Sequence, residues 1–234
     1  GFVFLIRLRV PQPERKETIN FTSYKREIGE GIRFVVRTPN IRVLIILIII
    51  NAFLLAGAWG TLLPQITRDN LGAGIFETSI IFVVMGIGTL AASLVLASIK
   101  ELKNAGGWLL ITSMAMSLLM IGLGLSHSYP LSLVLVGITG INAGFFINLN
   151  LTLIQAYTPQ HLMGRIMSVY ALCFMGGMPL GALISGFGAE ITSPAGMFII
   201  VSIIQFVVAI TAIITQPSMR RMSTLPADGD VADA

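Results

Sequence analysis

The side chains of this sequence able to do chemistry are amides and hydroxyls set inside long apolar runs. Leu131 to Ala156 has no ionisable side chain, yet it holds Asn142, Asn148, Asn150, Thr152 and Gln155. At about 100° per helical residue, Asn148, Thr152 and Gln155 share one face, with Ile141 and Gly144 earlier on it. Asn142 and Asn150 point elsewhere. An amide donates and accepts hydrogen bonds but does not exchange protons near neutral pH. Such a face suits holding a small molecule rather than transforming it. In an earlier run Asn51 is the only strongly polar interior residue; Ala58 lies on its helical face and Trp59 off to one side.

Two readings stay open for Asn51, Asn148, Thr152 and Gln155. They contact a substrate in a central cavity bordered by Trp59, or they hydrogen-bond between helices at about 0.6 kcal/mol apiece. Asn142 and Asn150 fit the second reading. A further group is the turn Thr158-Pro159-Gln160-His161-Leu162-Met163-Gly164-Arg165. Pro159 stops the preceding helix, and Gly164 permits tight backbone geometry beside Arg165. Arg165 either latches one conformation by pairing with a carboxylate or helix end of a partner bundle, or simply fixes topology by its charge.

These residues must be positioned by membrane spans. The sequence is 55% hydrophobic and 11% charged, with a mean hydropathy of +0.87, whereas soluble chains are about 25% charged. A span needs about 20 apolar residues, and six runs suffice: 41–63, 76–99, 108–126, 131–156, 166–189 and 195–215. Hydrocarbon offers amides no partner, so the polar face of the fourth run must turn toward protein or a water-filled cavity. Residues 1–6 are too short to span and lack the charge order of a signal peptide. They read as the end of a preceding transmembrane helix, so the sequence is expected to begin mid-protein. Residues 7–40 form a cytoplasmic loop in which Phe21, Tyr24, Ile28, Ile32 and Val35 mark an amphipathic helix at the membrane face. Residues 41–215 form the six-helix bundle, and 216–234 a cytoplasmic, disordered tail.

Charge orients the bundle. Of the 15 Lys and Arg, all but Arg68 fall on the side of residues 7–40, which the positive-inside rule makes cytoplasmic. The net charge of +4 is therefore topological, and no nucleic-acid partner is expected. Both ends of the six-span unit lie in the cytoplasm, and the location is the cell inner membrane. Small residues mark two packing stripes, around Gly88 in the second span and around Gly177, Pro179 and Gly181 in the fifth. Their matching positions are those of two inverted three-helix repeats. The fold class is an all-α membrane protein.

No Asp, Glu, Lys, Arg or His stands well inside a run; Glu77, His127 and Glu190 are at edges. That argues against a self-sufficient proton pump. No metal-ligand spacing can be built around Cys173, which reads as a small buried hydrophobe. No cofactor is called for, and a membrane enzyme finds no cluster of nucleophile, base and ligands.

Several segments resemble a known family: Glu30-Gly31-Ile32-Arg33-Phe34-Val35-Val36-Arg37-Thr38-Pro39, Leu63-Pro64 with Arg68-Asp69-Asn70-Leu71-Gly72, the run Thr158 to Tyr170, and Gly177-Met178-Pro179-Leu180-Gly181. Together, and in this order over about residues 21–215, they resemble the major facilitator superfamily. More narrowly, they resemble its bacterial branch of the enterobactin exporter and the transmembrane secretion effectors. The resemblance implies a twelve-helix transporter of two six-helix halves that alternate access around a central cavity. This sequence would be the C-terminal half, and an N-terminal six-helix half its partner, in the same or a separate chain. The first and fourth helices of each half would line the cavity. A proton gradient as energy source, and export of a siderophore- or drug-like molecule, are also implied by resemblance alone. The family's loop signature of Gly, Asp and paired Arg between the second and third helices of a half is not matched at Lys100–Gly107. A competing expectation is a truncated product without transport activity, or a half-size module that needs a partner chain.

Overall fold

The computed structural model describes residues 21–225. The preceding-helix stub, the first part of the loop and the end of the tail lie outside the described residues. Among the latter, six helices are long and apolar enough to cross a membrane. A shorter helix α1 (Phe21–Arg37) leads into them. The spans are α2 (Pro39–Leu71), α3 (Ile75–Ser98), α4 (Ala105–Gly124), α5 (Tyr129–Ala156), α6 (Met163–Ile191) and α7 (Pro194–Thr215). A single turn, α8 (Pro217–Arg220), follows.

The first span is longer than its apolar run. It does not stop at Pro64 but continues to Leu71, making 33 residues. A proline withholds one N–H and disturbs the turn before it, yet spans tolerate this where side chains supply donors. The carbonyl that loses its donor is that of Gly60; beside it Gln65 Nε2 donates to the Thr61 carbonyl at 3.0 Å, and Thr67 Oγ1 to that of Leu63 at 2.8 Å. The helix ends at Gly72, whose φ of +61° is the left-handed conformation of a helix C-cap. Glu77, at a span edge in the sequence, caps α3 by accepting from the Gly74 N–H at 2.9 Å.

Packing repeats by a two-fold rule. α2 packs on α6 as α5 packs on α3, α4 packs on α5 as α7 packs on α2, and α4 packs on α7. Exchanging α2 with α5, α3 with α6 and α4 with α7 leaves this set of pairs unchanged, as inverted three-helix repeats require. Glycines set the two long seams, because lipid gives helices no hydrophobic reason to associate and close backbone contact must do so. In the α3–α5 seam a Cβ on Gly88 would meet the Gly137 carbonyl oxygen at 2.6 Å, and one on Gly144 would meet Ala92 Cβ at 2.7 Å. In the α2–α6 seam a Cβ on Gly57 would meet the Gly181 carbonyl carbon at 2.5 Å, and one on Gly177 would meet Ala52 Cβ at 3.1 Å.

α1 is rolled relative to its apolar stripe. Gly31 and Val35 are buried, while Ile28 and Ile32 are 38% and 48% exposed. Gly31 decides this: with no Cβ, it lets α1 sit directly on the Arg165 backbone and Val169 of α6. At the same end of the bundle the segment after α7 is tied down. Met219 and Met222 are buried, Leu102 N donates to Thr224 Oγ1 at 2.9 Å, and Thr224 N donates back to the Leu102 carbonyl at 3.2 Å.

Candidate ligand cavity

One cavity of about 320 Å³ opens between α2, α3, α5 and α6, with Met116 of α4 in its wall. That is within the usual range of small-molecule pockets, about 300–1,000 Å³. Its lining is almost wholly apolar. Phe82, Phe146 and Phe174 provide aromatic faces, and Met85, Met116 and Met178 provide flexible thioethers that accommodate varied shapes. None of the lining residues is ionisable. Only Asn51 and Trp59, both from α2, bring polar side-chain atoms.

Their joint presence depends on an irregular turn. Residues Ala52–Ala56 form a π-helix within α2. In a regular helix eight residues overshoot two full turns by about 80°. A π turn takes up an extra residue and absorbs that excess. Trp59, not Ala58, therefore shares the cavity with Asn51, and Ala58 is fully buried elsewhere. Regular periodicity placed Trp59 to one side; the π turn corrects this. Its outer backbone is also where α6 lands, since a Cβ on Gly181 would run into the Phe53 carbonyl. The glycine seam and the cavity wall are thus two sides of one turn.

Asn51 and Trp59 are only 5% and 7% exposed. Asn51 Nδ2 and Trp59 Nε1 are buried with no hydrogen-bond partner. A buried donor without a partner forgoes about 1–3 kcal/mol. Two such donors beside one apolar cavity are a feature calling for an acceptor.

The polar face of α5 does not gather at this cavity. Asn148 Nδ2 donates to Ser93 Oγ of α3 at 2.9 Å and to the Gly144 carbonyl at 2.8 Å, so its donors are used in packing. Thr152 lines a smaller cavity of about 160 Å³ near Lys100 and Thr224. Gln155 is exposed, and its nearest partner is Met167 Sδ at 3.9 Å. One helical face is not one site, because these three residues span two turns of α5. Asn150 ties α5 to the Leu44 carbonyl of α2 at 3.1 Å, while Asn142 bonds only within its own helix.

The turn before α6 also differs from its sequence reading. Gly164 lies inside the first turn of α6, with open space where a Cβ would go, so no tight geometry depends on it. The Arg165 guanidinium forms an ion pair with Glu30 of α1, within this chain. Gly177 and Gly181 serve the α2–α6 seam, Gly88 serves the α3–α5 seam, and Pro179 lies inside α6 on an exposed face. Residues that sequence reasoning missed, such as Phe82, Met85 and Phe174, carry no polar signal and differ in nothing from lipid-facing neighbours until the helices are packed.

The profile of the transmembrane secretion effector family matches residues 2–228. The multidrug efflux pump Tap of Mycolicibacterium fortuitum is 25% identical over 195 residues, which is 83% of this chain and 47% of that protein. The match thus spans about half the length of this relative.

Proposed function

Because the chain belongs to the transmembrane secretion effector family, within the major facilitator type, we propose that it forms the C-terminal half of a transporter that exports a small organic molecule by alternating access. The observation that carries this reading is the apolar cavity of about 320 Å³ with two unpartnered donors in its wall. A substrate bound more tightly in one of two conformations shifts the population toward it. The absence of ionisable groups around the cavity assigns any proton coupling to groups elsewhere in the complete protein.

The partner in this reading is a second six-helix half. α3 and α6 support it: 17% and 22% of their spans are buried, against 56% for α2. Those open apolar faces suit a neighbouring bundle as well as lipid. The orientation follows the charge pattern, with α1, the 157–165 turn and the end of α7 on the cytoplasmic side of the inner membrane. Arg165 and Glu30 then anchor the loop helix to the C-terminal bundle, so the two move together.

Gly60→Phe tests the cavity. Gly60 lines it and has open space where a Cβ would stand, so a phenyl group fills the cavity without forcing the helices apart. Export of a fluorescent dye into everted vesicles is expected to fall at least tenfold while the protein level in the membrane stays normal. Undiminished export by Gly60→Phe refutes the cavity.

A further inference from the structure

We propose that this cavity selects uncharged, lipophilic molecules bearing hydrogen-bond acceptors, and that Asn51 and Trp59 read those acceptors. The inference rests on the transport reading above and narrows the substrate class at the same cavity. Three observations support it. Two residues of the cavity wall each keep a buried donor without a partner, Asn51 Nδ2 and Trp59 Nε1. Both residues are more than nine-tenths buried. No lining residue carries a charge of either sign.

The donors set what is recognised. An indole N–H can only donate, so Trp59 accepts no ammonium or hydroxyl proton. An amide turns broadly about its last torsion, which brings Asn51 Nδ2 round to a ligand without a backbone change. A carbonyl or ether oxygen on the ligand satisfies either group. A hydrocarbon leaves both unpaired, and a site built to hydrogen-bond its substrate rejects analogues that lack the partner.

The missing charges set what is excluded. A cation entering this cavity sheds its water and meets no carboxylate. Aromatic faces at Phe82, Phe146 and Phe174 offer cation–π attraction, but that is smaller than the loss of hydration for an unpaired ion. An anion finds no Lys or Arg. On the wall that this half contributes, only a neutral ligand, or the neutral form of a weak acid or base, avoids that loss.

The test uses everted membrane vesicles holding the complete protein and three dyes. Nile red is uncharged with a ring carbonyl, ethidium is a permanent cation, and diphenylhexatriene is a hydrocarbon without acceptors. Nile red is expected to be carried, and the other two at a tenth of its rate or less. Asn51→Leu and Trp59→Phe should each raise the half-saturating Nile red concentration roughly 2- to 12-fold. The double variant should discriminate Nile red from diphenylhexatriene no longer. Membrane level and elution profile report folding, and if Asn51→Leu fails to insert, Trp59→Phe decides alone. Ethidium carried as well as Nile red, none of the dyes carried, or an unchanged half-saturation in the folded variants overturns the substrate class. Gly60→Phe separates the two failures. If it blocks export while the donor variants change nothing, only the substrate class falls; if export survives it, the cavity itself is wrong.

Discussion

Replacing Gly181 by alanine puts the structural basis of the cavity to the test. A Cβ at this position overlaps the carbonyl oxygen of Phe53, inside the π turn of α2. At the facing Gly57 a Cβ would lie 2.5 Å from the Gly181 carbonyl carbon and 2.6 Å from Ala182 N. Ordinary carbon contacts are about 3.5–4.0 Å, so either substitution forces α6 away from α2 by about 1 Å. Both sides of the contact are backbone and cannot turn aside. Overpacking of this kind costs about 1–3 kcal/mol, partly offset by the roughly 0.5–1 kcal/mol that alanine gains over glycine in a helix. Gly177 faces Ala52 Cβ at 3.1 Å and should come out near neutral. Gly176 has nothing within 4 Å, so Gly176→Ala keeps the helical gain alone. The expected order of melting temperature is Gly176→Ala highest, then wild type and Gly177→Ala, with Gly57→Ala and Gly181→Ala lowest. It is measured on detergent-solubilised protein by heating followed by fluorescence-detected size exclusion. The same displacement moves Phe174 and Met178 of α6 away from Asn51 and Trp59 of α2, so Gly181→Ala should also raise the half-saturating dye concentration. Equal melting of Gly181→Ala and Gly176→Ala refutes the claim that the α2–α6 seam is set by backbone contact at the π turn.

Two further outcomes separate packing from recognition on α5 and at the basic end. Asn148→Ala loses the bond to Ser93 and should cost about 0.6 kcal/mol, at most about 1.7, without altering half-saturation for any dye; a changed half-saturation would return Asn148 to the site. Gln155→Ala, at an exposed position, should move neither melting nor transport. The half-exposed pair of Arg165 and Glu30 should show a coupling of about 0.2–1 kcal/mol in a double-mutant cycle of Arg165→Gln and Glu30→Gln. Because salt screens such pairs, the coupling should shrink at 1 M NaCl, and a coupling insensitive to salt would contradict a solvated ion pair.

What the sequence made legible was what depends on neighbours along the chain. The six spans follow from run length, and the glycine seams from small residues at matching positions in the second and fifth spans. Asn150, read as a bond between helices, does reach the Leu44 carbonyl of α2, whereas Asn142, read the same way, bonds the Ile138 carbonyl of its own helix. The misreadings share a different cause. Ala58 stands on the Asn51 face only if every turn has 3.6 residues, and the π turn lies where α6 packs against α2. Pro64 looks like a terminus, yet α2 runs through it to Leu71. Neither feature is encoded in periodicity. The same holds for the site: Asn51 and Asn148 are the same residue type in similar apolar runs, and Ser93 with the Gly144 carbonyl occupies the amide of one while the other keeps a donor free. An unsatisfied polar atom marks a ligand cavity only where the helices also leave space beside it: Asn150 Oδ1 and Gln205 Oε1 are buried without a partner as well, yet neither residue lines the cavity.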